Sequence, residues 1–133
     1  MAGPFHNCGM ISQIRDKLQG RVPQGSKRSS QWSRVRKEYL DQNPKCAVCG
    51  GVKSLEVHHK RPFHLHPELE LDPSNLITLC EASKTFNCHR LIGHLNNYRG
   101  WNPDVEKDAL EWSMKLGENA KRIFALHNGT SNP

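Results

Sequence analysis

Long apolar runs are missing from this 133-residue chain: hydrophobic residues make up only 35% of it, and its mean hydropathy is −0.74. No stretch approaches the roughly 20 apolar residues of a spanning helix, which excludes a helical membrane protein. The first residues, with Pro4, His6 and Asn7 breaking their few apolar positions, have no signal-peptide core, so a cytoplasmic, reducing setting is expected. The scarcity of apolar residues also limits the fold. A chain of this size builds one domain around a modest core, which calls for a covalent or metal staple.

Acidic residues are scarce in one region. Residues 1–45 hold nine Lys and Arg against three Asp and Glu, whereas the remainder holds ten of each, so the whole net charge of +6 sits on the first third of the chain. A basic face beside a chemical centre suggests a polyanionic partner, because Lys and Arg displace counterions from phosphates. A merely solvated basic surface is the competing interpretation.

Cysteine is present in an odd number, five, and its spacing tells more than its count. Cys46 and Cys49 form a CxxC followed by Gly50 and Gly51, and a second pair, Cys80 and Cys88, follows further along. Two such pairs match a closed tetrahedral zinc site that contributes folding energy directly. A redox CxxC would leave the second pair unexplained, and no βαβ pattern surrounds Cys46. Cys8 is then left over as a free thiol.

The pattern of elements is mixed. Met10, Ile11, Ile14 and Leu18 have helical spacing, and residues 20–30 are rich in turn formers and basic groups, as in a flexible linker. Ser29 or Ser30 can cap a helix carrying Trp32, Val35, Tyr39 and Leu40 on one face, ended by Asn43-Pro44, with Arg34, Arg36 and Lys37 on its other faces. Leu55, Val57 and His59 alternate with Glu56 and His58 as a short strand, and Leu76 to Leu79 form a second that delivers Cys80. Between them lies a loop constrained by Pro62, Pro67 and Pro73. A helix is expected from His89 through Tyr98 with Leu91, Ile92 and Leu95 inward. A last helix has Asn102 as cap, Pro103 in its first turn and Val105, Ala109, Trp112, Leu116, Ala120 and Ile123 as its core stripe, with Gly117 a point of kinking. The last six residues read as a disordered tail.

Six of the eight histidines fall between His58 and His94, the same region as the cysteine pairs. In order the chain offers the CxxC, the strand end Leu55-Glu56-Val57-His58-His59, Asn75 before Leu76, then Cys88-His89 and His94. This series resembles the HNH endonuclease family over residues 32 to about 105. The resemblance implies an α+β fold: a small ββα-metal domain (residues 31–102) with a four-cysteine zinc knuckle, preceded by a basic arm (1–30) and followed by a scaffold helix (103–127) and tail (128–133). One departure is visible, since seven residues separate Cys80 from Cys88 where the common family pattern has two.

The resemblance also implies the chemistry. Consecutive strand residues point to opposite faces, so His58 and His59 should do different jobs; by similarity, His58 is a metal ligand and His59 the general base. His89 supplies another ligand, alone or sharing its duty with His94, and Asn75 braces the loop that orients the base. Cys46, Cys49, Cys80 and Cys88 would hold structural zinc, and the catalytic divalent ion would be Mg²⁺, Mn²⁺, Ni²⁺ or Zn²⁺. The implied activity is hydrolysis of DNA with little sequence specificity, leaving a 5′-phosphate and a 3′-hydroxyl, in a bacterial or phage-infected cell. Arg34, Arg36, Lys37, Lys60, Arg61, Arg90 and Arg99 are the expected phosphate contacts. Glu56 and Glu81 neighbour the motif and could orient a histidine; His64 and His66 read as loop surface. A zinc-stabilised nucleic-acid-binding module without catalysis is the alternative, and it needs the cysteines and the basic arm but not the three histidines together.

Overall fold

The computed structural model describes residue 20, residues 26–82 and residues 87–127, with side-chain environments through residue 118. Cys8, the helix expected around Met10 to Leu18, residues 21–25 of the linker and the final tail lie outside the described residues.

Helix α1 spans Trp32–Gln42 and lays a half-buried face of Trp32, Val35, Tyr39 and Leu40 on the sheet. Its N-cap is Gln31 and not a serine, although the Ser29 hydroxyl accepts the Gln31 N–H. Asn43 ends it because the following Pro44 disfavours a helical conformation at position 43. The Tyr39 hydroxyl donates to the Leu76 carbonyl at 2.9 Å, which ties the helix to the start of the second strand.

The sheet has two antiparallel strands, β1 (Leu55–His59) and β2 (Leu76–Cys80), paired Leu55 with Cys80 through His59 with Leu76. Every β2 residue is buried, with Leu79 at 0% exposure. Around it Cys46, Val48, Ile77, Leu79, Cys80, Cys88, Val105 and Ala109 form the core cluster. Three of these eight are cysteines, so this core is small and leans on sulfur, as the composition predicts.

The expected helix from His89 through Tyr98 is replaced by a single π-helical turn, His89–Gly93. The His94 N–H bonds to the His89 carbonyl five residues back, and Leu95 and Asn96 then adopt left-handed φ values of 52° and 67°, which no helix can continue through. Leu91 and Leu95 consequently face solvent at 40% and 58% exposure, and only Ile92 of the three packs on the core.

Helix α2, Val105–His127, begins as expected: the Asn102 side chain accepts the Asp104 N–H, while its Nδ2 donates to the Ile92 carbonyl and to Asp108. Buried Asn102 thereby fastens the helix to the π turn. Val105 and Ala109 are buried and Leu116 packs against the core, but Trp112 is 46% exposed, with Lys115 over its ring. The helix runs uninterrupted through Gly117. None of the described helices is long and apolar enough to cross a membrane.

Candidate metal centres and active site

The knuckle is built by a turn that only glycine makes cheaply. Gly50 has φ of +73°, letting its N–H reach back to the Cys46 carbonyl while the Cys46 N–H meets the Gly51 carbonyl. The Ala47 N–H then bonds to the Thr78 carbonyl and the Thr78 hydroxyl to the Asn43 carbonyl, pinning the knuckle beside β2. The sulfurs of Cys46, Cys49, Cys80 and Cys88 all lie within 4.8 Å of one another, with Cys49 and Cys80 at 3.7 Å. Tetrahedral zinc with bonds of about 2.3 Å separates its sulfurs by roughly 3.8 Å, so the donor set fits that ion. A hydrogen bond from the Cys88 thiol holds the Cys46 thiol down to about 4, and the same bond, with burial, pushes Cys88 up. Burial likewise raises Cys49. Crowded, partly desolvated thiols of this kind oppose one another's ionisation, and a divalent cation removes the conflict.

A second centre forms from His58, His89 and His94. His58 leaves β1 on the face toward the π turn. His89 Nε2 lies 3.1 Å from His58 Nδ1 and 3.2 Å from His94 Nε2. Two tautomers are fixed by their other partners. The Gly100 carbonyl can only accept, so His94 carries its proton on Nδ1, at 2.7 Å; Glu81 accepts from His89 Nδ1 at 2.6 Å. Both Nε2 lone pairs therefore point inward. Metal–nitrogen bonds of about 2.0–2.1 Å place ligand nitrogens roughly 3.0–3.4 Å apart, which these spacings match. His58 Nε2 is buried without a hydrogen-bond partner, so the polar contacts of that ring rest on Nδ1. Burial pushes His58 down to about 3, helped by His89 and His94, and burial also lowers His94. Neutral rings with free lone pairs are what a cation requires.

The π turn brings His89 and His94 to one side, and Gly93 makes its approach possible. A Cβ at Gly93 would lie 3.1 Å from the Leu79 side chain and 3.2 Å from the His58 ring.

His59 occupies the opposite face of β1. Its Nε2 is 2.9 Å from the Glu70 carbonyl, an acceptor, so the proton sits on Nε2 and the Nδ1 lone pair is free to act as a base. Trp32 stacks on the ring at 4.5 Å between centroids. Burial depresses the His59 pKa, opposed by the Glu70 carbonyl and reinforced by Arg28, so the ring is neutral near pH 7. Asn75 locks the intervening loop. Its Oδ1 accepts the Arg61 N–H, its Nδ2 donates to the carbonyls of Arg61 and Leu69, and its own carbonyl accepts the Lys60 N–H.

One pocket is lined by His58, His59, His89 and His94 together with Arg28 and His64. Arg28 was assigned only to the basic arm by sequence; its guanidinium sits 4.5 Å from the Phe63 ring and 5.8 Å from that of Trp32, and burial lowers its pKa. His66 lies apart, against Glu68. Of the expected phosphate contacts, Arg34 pairs with Glu38, Arg36 with Glu56, Lys37 with Asp41 and Lys60 with Glu106, each at 3.0–3.1 Å. Glu56 thus serves Arg36 and not a histidine. Arg61 is exposed, Arg90 is half-buried on the π turn, and Arg99 lines the pocket. Sequence reasoning missed Gly93, Glu70 and Tyr98. Only Gly93 leaves a trace in sequence, as the small residue immediately before a clustered histidine.

Two short antiparallel strands, a helical turn carrying histidines and a four-cysteine knuckle define a ββα-metal fold. The family model for HNH endonuclease matches residues 46–94, from the first knuckle cysteine to the last histidine of the cluster. Over this segment the chain is similar to HNH endonucleases, a likeness that points to nucleic-acid chemistry. No curated protein and no solved structure matches the chain.

Proposed function

We propose that the protein is a metal-dependent DNA endonuclease in which His59 is the general base and His58, His89 and His94 hold one divalent ion. The observation that carries this reading is the back-to-back placement of His58 and His59. One ring joins a three-imidazole cluster, and its neighbour offers a free Nδ1 to the same pocket. The ion, Mg²⁺, Mn²⁺, Ni²⁺ or Zn²⁺, supplies polarisation of the scissile phosphate and stabilisation of the leaving oxygen.

His59 Nδ1 takes a proton from the attacking water, and the Nε2–H bond to the Glu70 carbonyl steadies the imidazolium that results. Asn75 keeps the 60–75 loop, and with it the Glu70 carbonyl, at the working distance. Arg28 and Arg99 line the pocket where a phosphate would sit. The cysteine centre holds structural zinc. The basic residues of α1 make only exposed or half-exposed ion pairs, worth roughly 0–1 kcal/mol each, so phosphates can displace their carboxylate partners. Hydrolysis yields a 5′-phosphate and a 3′-hydroxyl, and backbone contacts alone give little sequence preference.

Incubation of supercoiled plasmid with the zinc-loaded protein and each of the four ions in turn tests the reading. Nicking that requires an added or bound divalent ion is expected. Absence of cleavage with every ion overturns it in favour of a zinc-stabilised binding module.

A further inference from the structure

We propose that Glu81 is a positioning residue for the three-histidine centre, holding His89 in the tautomer and orientation that aim its Nε2 at an ion. The inference rests on the reading of His58, His89 and His94 as a metal centre and adds a residue to it. The Glu81 Oε1 receives the His89 Nδ1–H at 2.6 Å and also accepts from the Tyr98 hydroxyl at 3.0 Å, to which Asn87 donates in turn.

The covalent layout explains why this carboxylate meets this ring. Glu81 directly follows Cys80 and His89 directly follows Cys88, and the sulfurs of those two cysteines belong to one cluster. Gathering the cysteines therefore launches the carboxylate and the imidazole from neighbouring points. Because an imidazole has one proton and two nitrogens, occupying Nδ1–H with a carboxylate leaves Nε2 as the lone pair and increases its basicity. Without Glu81 the ring is free to rotate or to place its proton on Nε2, where it would face His58 and His94 and exclude a cation.

The test uses the full-length, zinc-loaded chain, titrated calorimetrically with NiCl₂, and nitrogen-15 NMR of the metal-free histidine centre to read the His89 tautomer. Wild type should bind one Ni²⁺ at the histidines and show the proton on Nδ1. Glu81→Ala should bind Ni²⁺ about 10–100-fold more weakly and lose the single tautomer while keeping its zinc. Glu81→Gln, whose amide oxygen can still accept, should fall between, and Tyr98→Phe should weaken binding by a smaller factor. An unchanged Ni²⁺ affinity and an unchanged tautomer in Glu81→Ala would overturn the proposal, even with a fully active wild type. If wild type binds no ion and cuts no DNA, the functional reading fails instead. The His89 tautomer in wild type and Glu81→Gln then still decides whether Glu81 fixes the ring, and His89 protonated on Nε2 in wild type would contradict it. If Glu81→Ala does not fold, Glu81→Gln and Tyr98→Phe carry the comparison; Ni²⁺ affinities equal to wild type in both would overturn the proposal.

Discussion

His89 and His94 lie five residues apart in the chain and 3.2 Å apart at their Nε2 atoms. A π turn makes this possible, since its i to i+5 hydrogen bond brings positions five apart onto neighbouring parts of the surface. An α-helix would align positions three or four apart and would swing His94 away from His89.

Gly93→Ala tests that geometry. The added methyl group meets Leu79 and the His58 ring at distances tighter than ordinary van der Waals contact. Overpacking at such a point costs about 1–3 kcal/mol. The variant should melt at lower temperature and bind Ni²⁺ more weakly, since relief of the clash must move the π turn or His58. Wild-type values for both melting and Ni²⁺ affinity would remove the close approach from the account.

The cysteine centre sits in the core, where Cys46 and Cys80 are 3% and 1% exposed. Structural zinc in small domains is worth about 10–16 kcal/mol, comparable to or larger than the total stability of a domain this size. Cys46→Ser should therefore lose one zinc per chain and unfold at markedly lower temperature, and a strong chelator should have the same effect on wild type. Mass spectrometry under native conditions together with thermal melts gives the readout. Retention of zinc with an unchanged melt in the variant would remove the four-cysteine assignment.

Asn75 makes three side-chain hydrogen bonds, one as acceptor and two as donor. Replacing it with Asp keeps the shape and the acceptor but turns the amide donor toward two carbonyls as a second acceptor. Asn75→Asp should lose at least as much stability as Asn75→Ala, about 1–3 kcal/mol for the buried groups left unpaired. Nicking should fall in both, because the loop that presents the Glu70 carbonyl to His59 is no longer fixed. Urea denaturation measures the first effect and plasmid cleavage the second. Equal stability of all three proteins would contradict the bracing role.

Arg34 and Lys37 lie on the solvent side of α1, 61% and 79% exposed at the side chain. Replacing each with Gln should weaken binding to duplexes of unrelated sequence alike and lower the slope of log Kd against log salt by about one per residue. A fluorescence anisotropy series at several salt concentrations measures it. An unchanged slope would place the DNA elsewhere.

The two strands were legible in sequence because their signals are local: alternation through His59, then an apolar run ending at Cys80. The placement of His58 and His59 on opposite faces of the strand was equally legible, since consecutive strand residues must face opposite ways. The π turn was not, because it is set by packing. Leu91, Ile92 and Leu95 have ordinary helical spacing, and only the left-handed backbone of Leu95 and Asn96, after a Gly93 that leaves no room for a Cβ beside Leu79 and His58, ends the helix early. Glu70 was invisible for a different reason: it serves His59 through its backbone carbonyl, which no side-chain pattern reports. Arg28 read as one more charge on a basic arm, and only the positions of Phe63 and Trp32 place it in the pocket.

The central claim is that one strand face holds an ion and the other a base. Its most direct test compares wild type with His59→Ala for Ni²⁺ affinity at the histidine centre and for single-turnover plasmid nicking. The account predicts unchanged ion binding and a loss of cleavage rate of about 10²–10⁴-fold. His59→Ala that folds, binds the ion and nicks at the wild-type rate would contradict it.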